Sequence, residues 1–133
     1  MIETLAVGKL KWHHITDPTE EDFVELKEKF HFHPLDIEDC KSVNQRPKID
    51  IYDDYYFLIL QYPDFDRQDK FIFPKEVKLF WGKDYIITLE RKRWHVSQLF
   101  NEYSERDDNS LAKDLATSDI LLYRNIEKLM KES

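Results

Sequence analysis

The stretch whose reading decides the fold runs from Lys48 to Pro63, KIDIYDDYYFLILQYP. Ile49 and Ile51 alternate with charged residues, and the pattern then becomes a nearly continuous apolar run from Tyr55 to Leu60. Alternation marks a strand with one wet face, whereas an unbroken apolar run marks a strand covered on both faces. The sheet therefore needs helices on each side. This run is also the longest apolar one in the chain, far short of the roughly 18 to 20 residues that cross a bilayer.

Downstream, Pro63, Asp64, Asp66, Arg67, Gln68 and Asp69 read as a polar loop. Phe71, Ile72 and Phe73, then Val77, Leu79 and Trp81 beyond Pro74, form the next strand, and Gly82-Lys83-Asp84 turns into Tyr85-Ile86-Ile87-Thr88-Leu89. The period changes at Val96, Leu99, Phe100 and Tyr103, which is helical spacing. A polar break from Glu105 to Ser110 precedes a last helix capped by Thr117 or Ser118, with Leu122, Ile126, Leu129 and Met130 on its apolar side.

Upstream, Lys9 to Ile15 reads as a short strand ending at Asp17-Pro18. DPTEEDFVELKEKF is a helix, capped by Asp17 or Thr19, with Pro18 at its first position and acidic residues in its first turn. Phe23, Leu26 and Phe30 form its buried stripe, and Glu25 pairs with Lys29 on the wet side. HPLDIEDC follows as a short helix capped by His33, begun by Pro34 and anchored by Leu35 and Ile37. Asn44 and Pro47 mark the turn into the deciding strand. The whole predicts an α/β fold: a layered α/β/α sandwich with a mixed, partly antiparallel central sheet and helices on both faces.

Composition narrows the function. The chain has 133 residues, 20 Lys+Arg against 27 Asp+Glu and a formal charge of −7. A domain of this size with 41% hydrophobic residues has material for one core. The acidic balance argues against a nucleic-acid partner, since the one basic run, Arg91-Lys92-Arg93, has no second cluster to support it. Cys40 is the only cysteine, which excludes an internal disulfide and a Cys-x-x-Cys metal or redox motif. The N-terminus lacks the pattern of a secretory signal, so a cytosolic setting is the default.

Candidate chemistry is sparse. His13-His14 and His31-x-His33 have no third ligand nearby and read as structural. Asp53 and Asp54 are adjacent, so on a strand they face opposite sides, and with Glu38-Asp39 they read as solvated carboxylates. Two glycines leave little for a phosphate loop, and no nucleophile elbow or His-Glu-x-x-His helix occurs. Nothing points to an enzyme. Asp64, Asp66 and Asp69 are oxygen donors of the hard type that Mg2+ accepts, though aspartates also collect in turns for conformational reasons.

Residues 32 to 60 carry His33-Pro34-Leu35, Glu38-Asp39, Gln45-Arg46-Pro47-Lys48 and then Tyr52, Tyr55, Phe57 and Leu60. Together with Glu76-Val77, Ile86-Ile87-Thr88 and Asp119-Ile120-Leu121-Leu122-Tyr123, this set resembles the N-terminal cytoplasmic domain of CorA-type divalent-cation transporters. The resemblance implies an α/β/α sandwich in the cytoplasmic part of a homopentameric magnesium channel. Such a protein continues into a stalk helix, two membrane helices and a Gly-Met-Asn pore signature, none of which is in this sequence. It further implies that Asp66, by its position after the apolar strand, joins an intersubunit Mg2+ site completed by a carboxylate from a neighbour's stalk.

Residues 1–133 are accordingly expected to be a single CorA-like N-terminal cytoplasmic domain, soluble as a fragment and truncated before stalk and transmembrane segments. Its expected role is cation sensing at the cytoplasmic side of the inner membrane within a full-length transporter, with regulatory Mg2+ as ligand and Co2+, Ni2+ or Zn2+ as alternatives. The expected partners are the stalk and membrane helices of the same protein, further copies in the homopentamer and divalent cations. The alternative is a standalone interaction domain that keeps the fold without transport.

Overall fold

The computed structural model describes residues 2–42, 45–66, 71–92, 95–115 and 117–132. Strands β1 (Ile2–Val7), β2 (Leu10–Thr16), β3 (Lys48–Ile51), β4 (Tyr55–Asp66), β5 (Phe71–Gly82) and β6 (Tyr85–Glu90) form one sheet in the order β1-β2-β6-β5-β4-β3. Among the described residues only β2 and β6 run parallel, and every other pairing is antiparallel. Between β2 and β3 the chain crosses the sheet through helices α1 (Glu20–Phe30) and α2 (Pro34–Lys41). It then returns strand by strand from β3 to β6, which comes to rest beside β2. Helices α3 (His95–Ser104), α4 (Asp108–Asp114) and α5 (Ser118–Glu132) cover the opposite face. The mixed three-layer sandwich expected from the deciding strand is present.

The two faces hold separate cores. Phe57, Ile59, Phe80, Ile87 and Leu89 pack under α1 and α2 with Phe23, Leu26 and Ile37. Leu58, Val77, Leu79 and Ile86 pack under the later helices with Val96, Phe100, Leu121 and Leu129. An eleven-residue helix such as α1 is marginal alone. Burying Phe23 and Leu26, worth about 1.5 to 3 kcal/mol each, is what holds it on the sheet. A capping box starts it: Asp22 N–H donates to Thr19 Oγ1 at 3.3 Å and Thr19 N–H to Asp22 Oδ2 at 2.9 Å. Thr19 is thus the cap, and Pro18 lies outside the helix rather than at its first position.

Several local expectations change. The first strand, β1, was not expected; its free edge needs no long apolar alternation. Leu35 is 67% exposed and the anchors of α2 are Asp36, Ile37 and Cys40, because residues two apart on a helix cannot share a face. Met130 is likewise exposed, and Leu121 takes the buried position on α5. The break after α3 is shorter than expected, since Asp107 accepts the Ser110 N–H at 2.7 Å and starts α4. Asn44 lies outside the described residues.

Strand pairing also continues past Pro63, where a loop is expected. Strands β4 and β5 stay paired past Leu60↔Val77 to Asp66↔Phe71, with Pro63 opposite Pro74. On β4 the β3 pairing ends at Ile59, and on β5 the β6 pairing ends at Lys78. Beyond those rungs each strand is an edge, where a proline removes no hydrogen bond from a neighbour. The sandwich therefore carries a two-stranded ribbon extending past the six-stranded sheet.

Candidate metal centre

Asp66 occupies the last rung of that ribbon, opposite Phe71, and Asp64 lies two residues earlier, opposite Phe73. Both belong to β4 rather than to the polar loop expected around them, because the partner run Phe71-Ile72-Phe73 continues the ladder. Asp69 lies outside the described residues. Asp53 and Asp54 are exposed in the bend between β3 and β4, as solvated turn residues should be. His31 ends α1 in the left-handed region at φ 56°, and His33 caps α2 by accepting the Leu35 N–H at 3.1 Å. Neither lies on a strand, so the pair does not share a strand face.

The structure brings together three carboxylates that the sequence does not group. Asp36 and Asp39 of α2 and Asp50 of β3 place carboxylate oxygens within 4.8 Å of one another. Strand β3 achieves this by turning its charged residues inward: Lys48 and Asp50 are half-buried, while Ile49 and Ile51 are exposed. Asp36 is 1% exposed. Its oxygens accept hydrogen bonds from the Tyr52 hydroxyl at 3.0 Å and the Tyr55 hydroxyl at 2.7 Å. Burial pushes its carboxyl above the ordinary range, and the two phenols only partly offset that. Burial and the bond to Asp36 in turn raise the Tyr52 hydroxyl to about 12.

A cation already serves the other two carboxylates. Lys48 Nζ lies 2.5 Å from Asp39 Oδ2 and 3.0 Å from Asp50 Oδ2. Those hydrogen bonds hold its ammonium more firmly protonated than an ordinary lysine. The donor set is of the hard oxygen type that Mg2+ takes, but a divalent ion here competes with a tethered ammonium. Two of the segments that carry the family resemblance, Glu38-Asp39 and Gln45-Arg46-Pro47-Lys48, thus meet through Asp39 and Lys48. Asp36 and Asp50 carried no signal, because a buried carboxylate becomes visible only through its tertiary partners.

On the opposite face Ser97, His14 and Glu90 form a buried polar chain. Its composition is that of a hydrolase triad, yet its order is not. Glu90 Oε1 accepts from Ser97 Oγ at 2.8 Å, and Ser97 Oγ lies 2.7 Å from His14 Nε2. The carboxylate thus bonds the serine instead of orienting the histidine. All three residues are at most 2% exposed, so this serine meets no substrate.

These observations define a three-layer α/β domain with a cluster of hard oxygen donors at one sheet edge. The profile of the family described as CorA-like Mg2+ transporter protein matches residues 7–132. The chain belongs to that family, which is one of transporters rather than enzymes. It is 35% identical over 89 residues to YfjQ of Bacillus subtilis, covering 65% of this chain and 27% of that protein. It is 29% identical over 122 residues to the cobalt/magnesium transport protein CorA of Thermotoga maritima, covering 91% of this chain and 34% of that one. The chain therefore spans about a third or less of the length of these curated relatives. In fold it is similar to the soluble domain of CorA from Methanocaldococcus jannaschii, with a TM-score of 0.77 at 18% identity, over 93% of this chain and 48% of that one. Among the described residues no helix is long and apolar enough to cross a membrane.

Proposed function

We propose that residues 1–133 are one soluble, cytoplasmic, cation-sensing domain of a CorA-like divalent-metal transporter whose stalk and membrane helices lie elsewhere in the full-length protein. The family match across residues 7–132, joined to the shared fold, carries this reading. In the assembled transporter, a homopentamer at the inner membrane, Asp66 supplies a carboxylate to a regulatory Mg2+ held between subunits. Its backbone position supports that role, since the last rung of a ribbon extending past the sheet can meet another chain. The chemistry fits as well. Mg2+ binds through one or two carboxylates while keeping several waters, so one aspartate per chain is enough when a neighbour supplies the second.

The mechanism is linkage. Mg2+ binding between subunits favours the closed assembly by its differential affinity for that state, and loss of Mg2+ releases it. The test places this domain on the stalk and membrane helices of a CorA-like transporter and measures Mg2+ inhibition of transport for the unaltered protein and Asp66→Asn. Weakened inhibition with transport retained is the expected result. Unchanged inhibition removes Asp66 from the mechanism.

A further inference from the structure

Glu90 is the last residue of β6 and 1% exposed. It caps α3. Oε1 accepts the Ser97 N–H at 2.7 Å and the Ser97 hydroxyl at 2.8 Å, and Oε2 accepts the Val96 N–H at 3.3 Å. Those two amides belong to the first turn of α3, whose N–H groups have no partner within the helix. His14, on the parallel neighbour β2, joins the same group. Its Nε2 is 2.7 Å from Ser97 Oγ and 3.4 Å from Glu90 Oε1, and its Nδ1 is 2.7 Å from Thr88 Oγ1. Trp12 Nε1 donates to Thr88 Oγ1 at 2.9 Å.

Counting hydroxyl protons orients this chain. Ser97 has one, and it goes to Glu90. His14 Nε2 must then be the donor toward Ser97, and a neutral imidazole leaves Nδ1 to accept the Thr88 hydroxyl. The bonds run one way, Trp12 to Thr88 to His14 to Ser97 to the Glu90 carboxylate. A proton placed on Glu90 Oε1 reverses the last link. The carboxyl then donates to Ser97 Oγ, which still accepts from His14 Nε2, and the Ser97 proton turns to Thr16 Oγ1, 3.4 Å away.

We propose that the chain Trp12–Thr88–His14–Ser97–Glu90 is a proton-operated latch that sets how firmly the start of α3 is seated on the sheet. Seating is firmest when Glu90 holds its proton. A charged carboxylate with almost no access to water is costly, three donors offset only part of that cost, and lifting α3 returns the group to water. Burial raises the Glu90 carboxyl to about 7, against the hydrogen bonds from Ser97 and Val96. A folded-state value above the unfolded one contributes stability that is present at acid pH and lost as pH rises through the folded value. The titratable groups that face it are His14 from β2 and Lys75 from β5, whose positive field also reaches Glu90. Arg91 and Lys92 on the connection are exposed. Because α3 packs against α5, the latch links protons to the last helix of the domain.

The test follows the Glu90 side-chain carboxyl by 13C NMR, the His14 ring nitrogens by 15N NMR and amide-exchange protection at Val96 and Ser97. It uses the 133-residue chain, over about pH 5 to pH 8. The carboxyl should titrate near neutrality, His14 should keep its donor signature on Nε2 throughout, and protection should fall by roughly tenfold or more at the alkaline end. Glu90→Gln should flatten the protection profile. A Glu90 carboxyl titrating in the ordinary range near 4, or an unchanged profile in Glu90→Gln, overturns the proposal. Should that variant not fold, the carboxyl titration of the unaltered chain decides alone.

Discussion

The Tyr55 hydroxyl stands between two elements, donating to Asp36 Oδ2 at 2.7 Å and accepting the His33 N–H at 2.9 Å. One phenol thus ties the start of β4 to both the cap and the buried carboxylate of α2. Tyr55→Phe keeps the ring against Phe32 and Tyr52 but leaves a buried carboxylate short of a donor. The expected loss is about 1 to 3 kcal/mol, read from urea unfolding. Tyr52→Phe, with a half-buried hydroxyl whose place water can take, should cost less. Equal losses would show that burial of Asp36, rather than Tyr55 itself, sets the effect.

Lys48 fills the charge requirement of Asp39 and Asp50. Its side chain is partly exposed, so Lys48→Met should lower stability by only about 0 to 1 kcal/mol at moderate salt. Its larger effect should be on cations. Without the ammonium the three carboxylates compete for a divalent ion, and millimolar Mg2+ should raise Tm more in Lys48→Met than in the unaltered chain. Identical Mg2+ responses would mean that the trio does not take up the ion even when vacated by lysine.

The elements that were legible are those whose period is enforced by a single face or by cover on both. Tyr55 to Leu60 announced a doubly covered strand, and Val96, Leu99, Phe100 and Tyr103 announced α3. What escaped depends on partners distant in sequence. Pro63 reads as the start of a loop, and only the early end of the β3 pairing makes it acceptable inside β4. Asp36 sits between two aliphatic residues, and nothing local reveals that it, not Leu35, is buried. His14 and Glu90 meet only because β2 and β6 pair in parallel. The family resemblance, in contrast, rested on His33, Tyr52 and Tyr55 among others, and the structure shows these three around one carboxylate: Tyr52 and Tyr55 donate to Asp36, and the His33 N–H reaches it through the Tyr55 hydroxyl.

The capping box of α1 gives a pH-dependent prediction of opposite sign to the latch. Burial acts to raise the Asp22 carboxyl, hydrogen bonds from Thr19 act against it, and the group lies below its ordinary value. Stability from a depressed carboxyl is present above the unfolded value and disappears as pH falls through the folded one. Thr19→Ala should cost about 1 kcal/mol at neutral pH. Near pH 3 the gap between variant and unaltered chain should shrink. A constant gap across that range would mean that Asp22 ionisation does not support the cap.

Gly82 ends β5 beneath the ring of Tyr85, across the two-residue turn into β6. A Cβ built there lies 2.2 Å from Tyr85 Cε1 and 2.4 Å from Cζ, well inside contact distance. The turn is further fixed by Ser118, whose hydroxyl lies within hydrogen-bond distance of the carbonyls of Gly82 at 2.8 Å and Lys83 at 2.9 Å. The backbone therefore has little freedom to retreat, and the ring must move instead. Gly82→Ala should destabilise by about 1 to 3 kcal/mol, as overpacking does. The same change in a Tyr85→Ala background should cost much less, because the obstructing ring is gone. A double-mutant cycle by urea unfolding measures the difference as a coupling energy; a coupling near zero would show that the cost comes from the backbone at position 82 and not from the ring above it.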